Sequence, residues 1–141
     1  MIERITFNKV EYAIIIRSSF KRIGCEFFTS DDSSQQIGYM NWPKGHIIKP
    51  HIHKPVSRKI LDTQEVLYIK NGLVRIDFYT EEKKYFKSTL LEAGDVILLA
   101  FGGHGFEILK PTEMIEVKQG PYVEGLDKVH FDSTPNNSLN F

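Results

Sequence analysis

The sequence is poor in several features that would each indicate a particular class of protein. Cys25 is the only cysteine, so no disulfide can form within the chain. No apolar run approaches the roughly 20 residues that a membrane-spanning helix needs. Lys plus Arg number 18 and Asp plus Glu also number 18, so the formal net charge is zero. Nucleic-acid binding relies on a basic surface, so this balance argues against it.

The N-terminal residues also lack the features of a targeting segment. Acidic residues stand near the start, and the apolar run from Ala13 to Ile16 is short. We therefore expect neither a secretory signal nor a membrane anchor, and we expect a cytoplasmic protein. We interpret Cys25 as a small buried apolar residue rather than a catalytic thiol.

What the chain does have is a series of short β-rich runs separated by turn residues. Apolar periodicity of the helical kind is missing, and turn residues recur every eight to twelve positions, which is typical of sandwiches and barrels. The predicted strands are Tyr12–Ser18, Cys25–Thr29, Ile37–Trp42, His46–His53, Glu65–Lys70, Leu73–Tyr79, Tyr85–Leu91, Asp95–Ala100, Gly105–Leu109 and Glu113–Lys118. Asn71-Gly72 is the strongest turn signal and predicts a two-residue hairpin. The sequence therefore predicts one all-β domain over residues 1–131, followed by a flexible polar tail over 132–141.

Two histidines stand two positions apart on one of these predicted strands. Side chains alternate between the two faces of a strand, so His51 and His53 would point the same way and could bind one metal ion. The alternative is a solvated or hydrogen-bonded pair. His46 differs in parity from both, so it is expected on the opposite, exposed face.

The surroundings of this pair resemble the motifs of a known superfamily. GHIIKPHIH, which starts at Gly45, and EVLYIKNG, which ends at Gly72, resemble the first motif of the cupin superfamily. The block from Gly94 to Leu109 resembles the second motif, with Gly102, His104 and Phe106 at or near its landmarks. The two blocks together cover nearly half of the chain. The resemblance implies a jelly-roll barrel, also called a double-stranded β-helix.

The resemblance also implies a metal site. Its ligands would be His51, His53, Glu65 and His104, a nitrogen and oxygen set that suits one divalent ion of Fe, Mn, Ni, Cu, Co or Zn. Glu65 shares a strand face with apolar residues, where an unpaired acid is costly. The alternatives are a buried Glu65 satisfied by Arg58 or by backbone donors, and a shifted register that presents Gln64 instead. An insertion of eleven residues separates His53 from Glu65 and leaves this register open.

Other residues are candidates for contact with a substrate. Glu116 and Lys118 share a strand face and could line the mouth of the barrel, or they could lie on an exposed strand. Arg58 and Lys59 could receive an anion, although a solvated loop is the simpler interpretation. Glu107, Glu116, Lys118 and Tyr68 are the candidates for an acid or base beside the metal, and no catalytic residue is assigned.

The leading functional hypothesis is a small metalloenzyme that acts on a small polar molecule, either a sugar or an organic acid. The alternatives are a non-catalytic module that binds a metal or ligand, and a metal-free sugar-nucleotide epimerase or isomerase with His51 or His53 as the base. The expected partners are a small-molecule ligand and a second copy of the chain, with no nucleic acid and no membrane. The homodimer is expected because the apolar run Tyr12–Ser18 would otherwise form an exposed edge strand, whose unpaired backbone groups can pair with another chain.

Overall fold

The computed structural model describes residues 1–123, 125–132 and 140–141, and these residues form an all-β structure without helices. The eight strands are β1 (Ile2–Phe7), β2 (Val10–Ile16), β3 (Gly24–Phe27), β4 (Gly38–Asn41), β5 (Glu65–Tyr79), β6 (Tyr85–Glu92), β7 (Val96–Leu99) and β8 (Gly103–Lys118). Every strand pairing is antiparallel. The predicted all-β class is confirmed. Within the described residues no helix is long and apolar enough to cross a membrane.

The main sheet is organised around two long paired strands, β5 and β8. The first part of β5 pairs with β7, which continues through β2 to β1, whereas the second part of β5 pairs with β6. β8 runs along the other side of β5 over its whole length. The sheet is strongly curled into a half-barrel, because the β5–β8 pair bends in the middle.

The bend occurs where two turns were predicted, so the prediction of a hairpin at Asn71-Gly72 is wrong. β5 passes through both residues as one strand, and the pairing register with β8 shifts between Ile69 and Val74. Gly72 has a φ of +104°, which suits a bulge as well as a turn. On the facing strand, Lys110-Pro111-Thr112 lies inside β8, and the predicted break there is also absent.

Burial on the concave side explains why the sheet curls. The side chains of Leu67 and Ile69, before the bulge, and of Val74, Ile76 and Phe78, after it, belong to one buried cluster. Their parity changes from odd to even because the bulge adds a residue. Both halves of β5 therefore present their apolar faces to the same core, which β2, β6 and β7 complete.

A second cluster lies on the other face of β2 and β7. Ile14, Ile16 and Leu98 pack there against Phe28 and Ile37, which lie at the loop ends of β3 and β4. Cys25 lies on the outer face of this hairpin and is exposed, so its predicted burial is wrong. β3 carries Cys25 opposite Met40, away from the main sheet, and both side chains remain in solvent.

The order of strands also corrects the expected dimer edge. β2 pairs with β1 on one side and with β7 on the other, so Tyr12–Ser18 offers no free edge. Burial of this apolar run comes from its own sheet, not from a second copy of the chain. Of the tail predicted over 132–141, residues 133–139 lie outside the described residues.

Candidate metal centre

Glu65 lies at the start of β5 on the concave face of the sheet. Glu65 is 9% exposed, and its side chain lies on the same strand face as the buried Leu67 and Ile69. The predicted shared face is confirmed. Gln64 precedes the strand, and its side-chain amide donates to the carbonyl of Ala100. The carboxylate, not the amide, therefore takes the inward position.

His104 lies near the start of β8 and contacts Glu65 directly. His104 Nε2 is 3.1 Å from Glu65 Oε2. The register pairs His104 with Phe78, thirteen residues beyond Glu65 on β5. In a straight strand that separation would be about 40 Å. The contact thus exists because the β5–β8 pair bends back on itself at the bulge.

The contact affects the ionisation of Glu65. The hydrogen bond from His104 lowers the pKa of the Glu65 carboxyl below its usual value, and burial opposes this by raising it. The charges of His104, Lys128 and Lys118 lower the pKa further. Glu65 is therefore held as a carboxylate, the form that binds a cation.

His51 and His53 lie elsewhere, in a segment without regular structure. Residues 42–64 contain no strand, and both histidines are exposed, so the predicted strand His46–His53 is wrong. Pro50 lies within that segment and has no backbone N–H to donate to a sheet, and Pro55 follows soon after. The segment pairs with no other strand in the described part of the chain.

The two histidines nevertheless lie side by side. Their ring centroids are 5.1 Å apart. His51 Nδ1 lies 3.0 Å from the carbonyl oxygen of Lys49, a contact that leaves Nε2 on the other side of the ring. A backbone carbonyl on one ring nitrogen is a common way to orient a histidine whose other nitrogen binds a metal.

The spacing of the donors is compatible with a metal ion. Two donors bound at about 2.1 Å and at right angles to each other lie about 3.0 Å apart, close to the separation of His104 Nε2 and Glu65 Oε2. Two imidazoles on one ion have ring centroids about 4.5 to 5 Å apart. The four predicted ligands thus lie as two separate pairs. In this conformation, no group of three or more candidate ligands among the described residues could hold a metal.

The structure separates the four candidates for an acid or base beside the metal. Glu107 Oε2 lies 2.6 Å from Arg75 Nη1, and its register partner Arg75 belongs to the outer face. Tyr68 also lies outward, because it alternates with Leu67 and Ile69. Glu116 and Lys118 pair with Leu67 and Glu65, and therefore lie on the concave face. Their predicted shared face is confirmed.

Two features near the site were absent from the sequence prediction. Asp127 comes from the C-terminal segment and lies 3.9 Å from Lys118 Nζ on β8, a position with no local sequence signal. An open cavity of about 560 Å³ is lined by Gly103, Asp127 and Val129, among other residues, although neither Glu65 nor His104 lines it. Its size falls within the range of small-molecule sites.

Comparisons with known proteins do not identify a family for the chain. No protein-family model matches the chain, and neither the curated proteins nor the solved structures contain a match.

Proposed function

We propose that the chain is a metal-binding protein of the cupin type and acts as a small metalloenzyme on a small polar molecule, either a sugar or an organic acid. The observation that carries the proposal is the contact between His104 and Glu65 on the concave face of the curled sheet. A carboxylate and an imidazole at that separation are two of the four donors that the cupin motifs imply. The metal, when bound, would polarise an oxygen atom of the substrate.

The other two donors would arrive when the segment that carries them joins the sheet. β8 pairs only with β5 among the described residues, so its other edge is free along all 16 residues. Phe106 and Ile108 lie on the concave face beside that edge, and they are 39% and 51% exposed. A strand added there would cover both side chains.

The segment that precedes β5 is suited to this role. Ile47, Ile48 and Ile52 are all exposed, which leaves a run of apolar side chains without cover. As the outermost strand of the sheet, the segment could contain Pro50, since proline is tolerated at a sheet edge. Addition of residues 46–53 to β8 would close the half-barrel into a jelly roll and bring His51 and His53 towards His104.

Metal content tests the proposal. Protein purified after exposure to Fe, Mn, Ni and Zn is expected to carry about one transition-metal ion per chain by elemental mass spectrometry. His104→Ala and Glu65→Gln should each remove most of it, because each removes one of the two donors already in contact. His130→Ala is the matched control, since His130 is exposed and outside the site. Protein that stays metal-free with all four metals would overturn the proposal.

One observation favours the metal-free alternative. A histidine held by a carboxylate is also the arrangement of an acid–base pair, in which the carboxylate orients the imidazole. In that case an epimerase or isomerase would use His104, rather than His51 or His53, as the base. Metal-free protein that turns over sugar nucleotides, and loses that activity in His104→Ala, would favour this alternative. Metal-loaded protein that turns over no candidate substrate would favour the non-catalytic module.

A further inference from the structure

The main sheet ends at β6 on one side. β6 pairs with β5 and with no other strand in the described part of the chain. An edge strand leaves backbone N–H and C=O groups unpaired, and a strand of another chain can pair with them. The contacts along this edge therefore determine whether the sheet can extend beyond β6.

Asn140 lies against the middle of the β6 edge and contacts it through its backbone. The Ser88 N–H donates to the Asn140 carbonyl oxygen, and the Asn140 N–H donates to the Tyr85 hydroxyl oxygen. The Asn140 side-chain amide donates to the Phe86 carbonyl oxygen at 3.4 Å. Asn140 thus takes the place that a residue of a neighbouring strand would take.

Arg17 covers the next part of the same edge. Its Nη1 donates to the Leu90 carbonyl oxygen at 2.6 Å, and its Nη2 donates to the Thr89 hydroxyl oxygen at 3.1 Å. Ion pairs with Glu3 and Asp95 hold this guanidinium in place. One end of the edge is therefore covered by a fixed side chain, whereas the part around Ser88 is covered by Asn140.

A chain of hydrogen bonds attaches Asn140 to the interior of the sheet. The Ser88 hydroxyl donates to Asp77 Oδ1 at 2.6 Å, since the carboxylate can only accept. Ser88 Oγ can then accept from the Tyr85 hydroxyl, whose oxygen lies 2.9 Å away. The Tyr85 oxygen accepts in turn from the Asn140 N–H. These donors all run in one direction, from Asn140 to Asp77, so that each bond polarises the next.

We propose that Asn140 is a cap on the β6 edge, which keeps β6 from pairing with β6 of a second copy of the chain. The observation that carries the proposal is the backbone contact between Asn140 and Ser88, the kind of contact that a neighbouring strand makes. Release of residues 140–141 would open the edge for self-association. Neither Asn140 nor β6 contributes a proposed metal ligand, so the cap and the proposed function fail separately.

A second copy fits this edge because antiparallel pairing of one strand with itself is symmetric. The residue of a hydrogen-bonded pair directs its N–H and its C=O to the same side, so Ser88 offers both groups to the outer edge. A two-fold axis at Ser88 would let the two copies of this residue exchange both hydrogen bonds. That register places Lys87 opposite Thr89 of the second copy, so like charges do not face each other there.

Hydrogen exchange at the Ser88 amide tests the cap directly. Deletion of residues 140–141 should raise its exchange rate at least tenfold in dilute protein, because the amide loses its acceptor. Amides of β2 report whether the sheet stays folded. Phe141→Ala is the matched control, since this side chain is 66% exposed and the change leaves the Asn140 backbone in place.

Tyr85→Phe is a second and milder variant. It removes the hydroxyl group that accepts from the Asn140 N–H but leaves the carbonyl contact with Ser88. The exchange rate of the Ser88 amide should therefore rise by a smaller factor than in the deletion variant. A rate that is unchanged in both variants would overturn the cap.

Self-association of the same variants tests the partner. In sedimentation velocity, the average mass should rise more steeply with concentration in the deletion variant than in the wild type or in Phe141→Ala. The Ser88 amide of the deletion variant should regain at least threefold protection as its concentration is raised, because the second copy supplies a new acceptor. A deletion variant that associates no more than the wild type, or that associates while its Ser88 amide still exchanges freely, would contradict the proposal.

Discussion

At the scale of single residues, one buried pair of opposite charges lies away from the candidate site. Arg75 and Asp77 are 7% and 3% exposed, and Arg75 Nε lies 2.9 Å from Asp77 Oδ1. Ser88, which is fully buried, donates to the same oxygen at 2.6 Å. Arg75 donates hydrogen bonds to both carboxylate oxygen atoms of Asp77. The Arg75–Asp77 ion pair therefore stabilises the sheet.

Asp77→Ala is therefore expected to destabilise the chain strongly. Removal of one partner of a buried ion pair costs about 3–5 kcal/mol, because the other charge stays buried. Glu107→Gln is the matched control: it removes the other carboxylate next to Arg75, but that side chain is 43% exposed. Its cost should be below about 1 kcal/mol. Urea denaturation measures the unfolding free energy of both variants. Similar losses of stability in the two variants would contradict the structural role of the Arg75–Asp77 pair.

At the scale of elements, the bulge in β5 determines whether Glu65 can reach His104. A Cβ atom on Gly72 would lie 2.5 Å from the carbonyl oxygen of Pro111 and would overlap the Thr112 hydroxyl oxygen. The positive φ of Gly72 adds backbone strain for any other residue. The bulge is therefore sensitive to substitution for two separate reasons.

Gly24→Ala separates these two reasons. Gly24 has a φ of +103°, almost the same as Gly72, but a Cβ there would meet no atom within 4 Å. Gly24→Ala should cost about 1–2 kcal/mol, which is the strain alone. Gly72→Ala should cost about 3 kcal/mol or more, since overpacking adds to the strain. Equal unfolding free energies for the two variants would show that the contact with β8 is unimportant.

The elements also show how far the sequence alone could lead. Alternation of apolar residues correctly placed Glu65 among Leu67 and Ile69, and the apolar run of β2 was predicted as a strand. Asn71-Gly72 was misread because a turn and a bulge both need positive φ, and only the partner strand decides between them. The strand predicted over His46–His53 was wrong in this conformation, and Pro50 was the available signal. β1 was missed altogether, because the adjacent charged residues Glu3 and Arg4 interrupt the alternation of its apolar and polar residues.

The candidate site could be predicted only in part for a similar reason. His104 and Glu65 were both named from their motifs, but nothing local indicates that two residues at opposite ends of a strand pair will touch. Asp127 lies beyond the last strand and comes within 3.9 Å of Lys118 Nζ through the path of the C-terminal segment. Contacts of this kind depend on the curvature of the whole sheet, which no short stretch of sequence encodes.

At the scale of the whole molecule, the proposed function predicts that metal binding closes the half-barrel. Ligands from two separate segments link folding of the segment to binding of the ion. A metal at one hundred times its dissociation constant adds about 2.7 kcal/mol of stability, which corresponds to a rise in Tm of roughly 5–10 °C for a chain of this size. Backbone amides over residues 46–53 should also become protected from hydrogen exchange.

The variant His51→Ala/His53→Ala should lose both effects, because it removes the donors that link the segment to the sheet. His46→Ala is the matched control on the same segment, since the His46 ring stacks on Trp42 with centroids 4.0 Å apart and has no proposed metal contact. It should retain the rise in Tm and most of the protection. A metal that raises Tm without protecting residues 46–53 would mean that Glu65 and His104 bind the ion without this segment. In that case the barrel would stay open and the ligand set would lack His51 and His53.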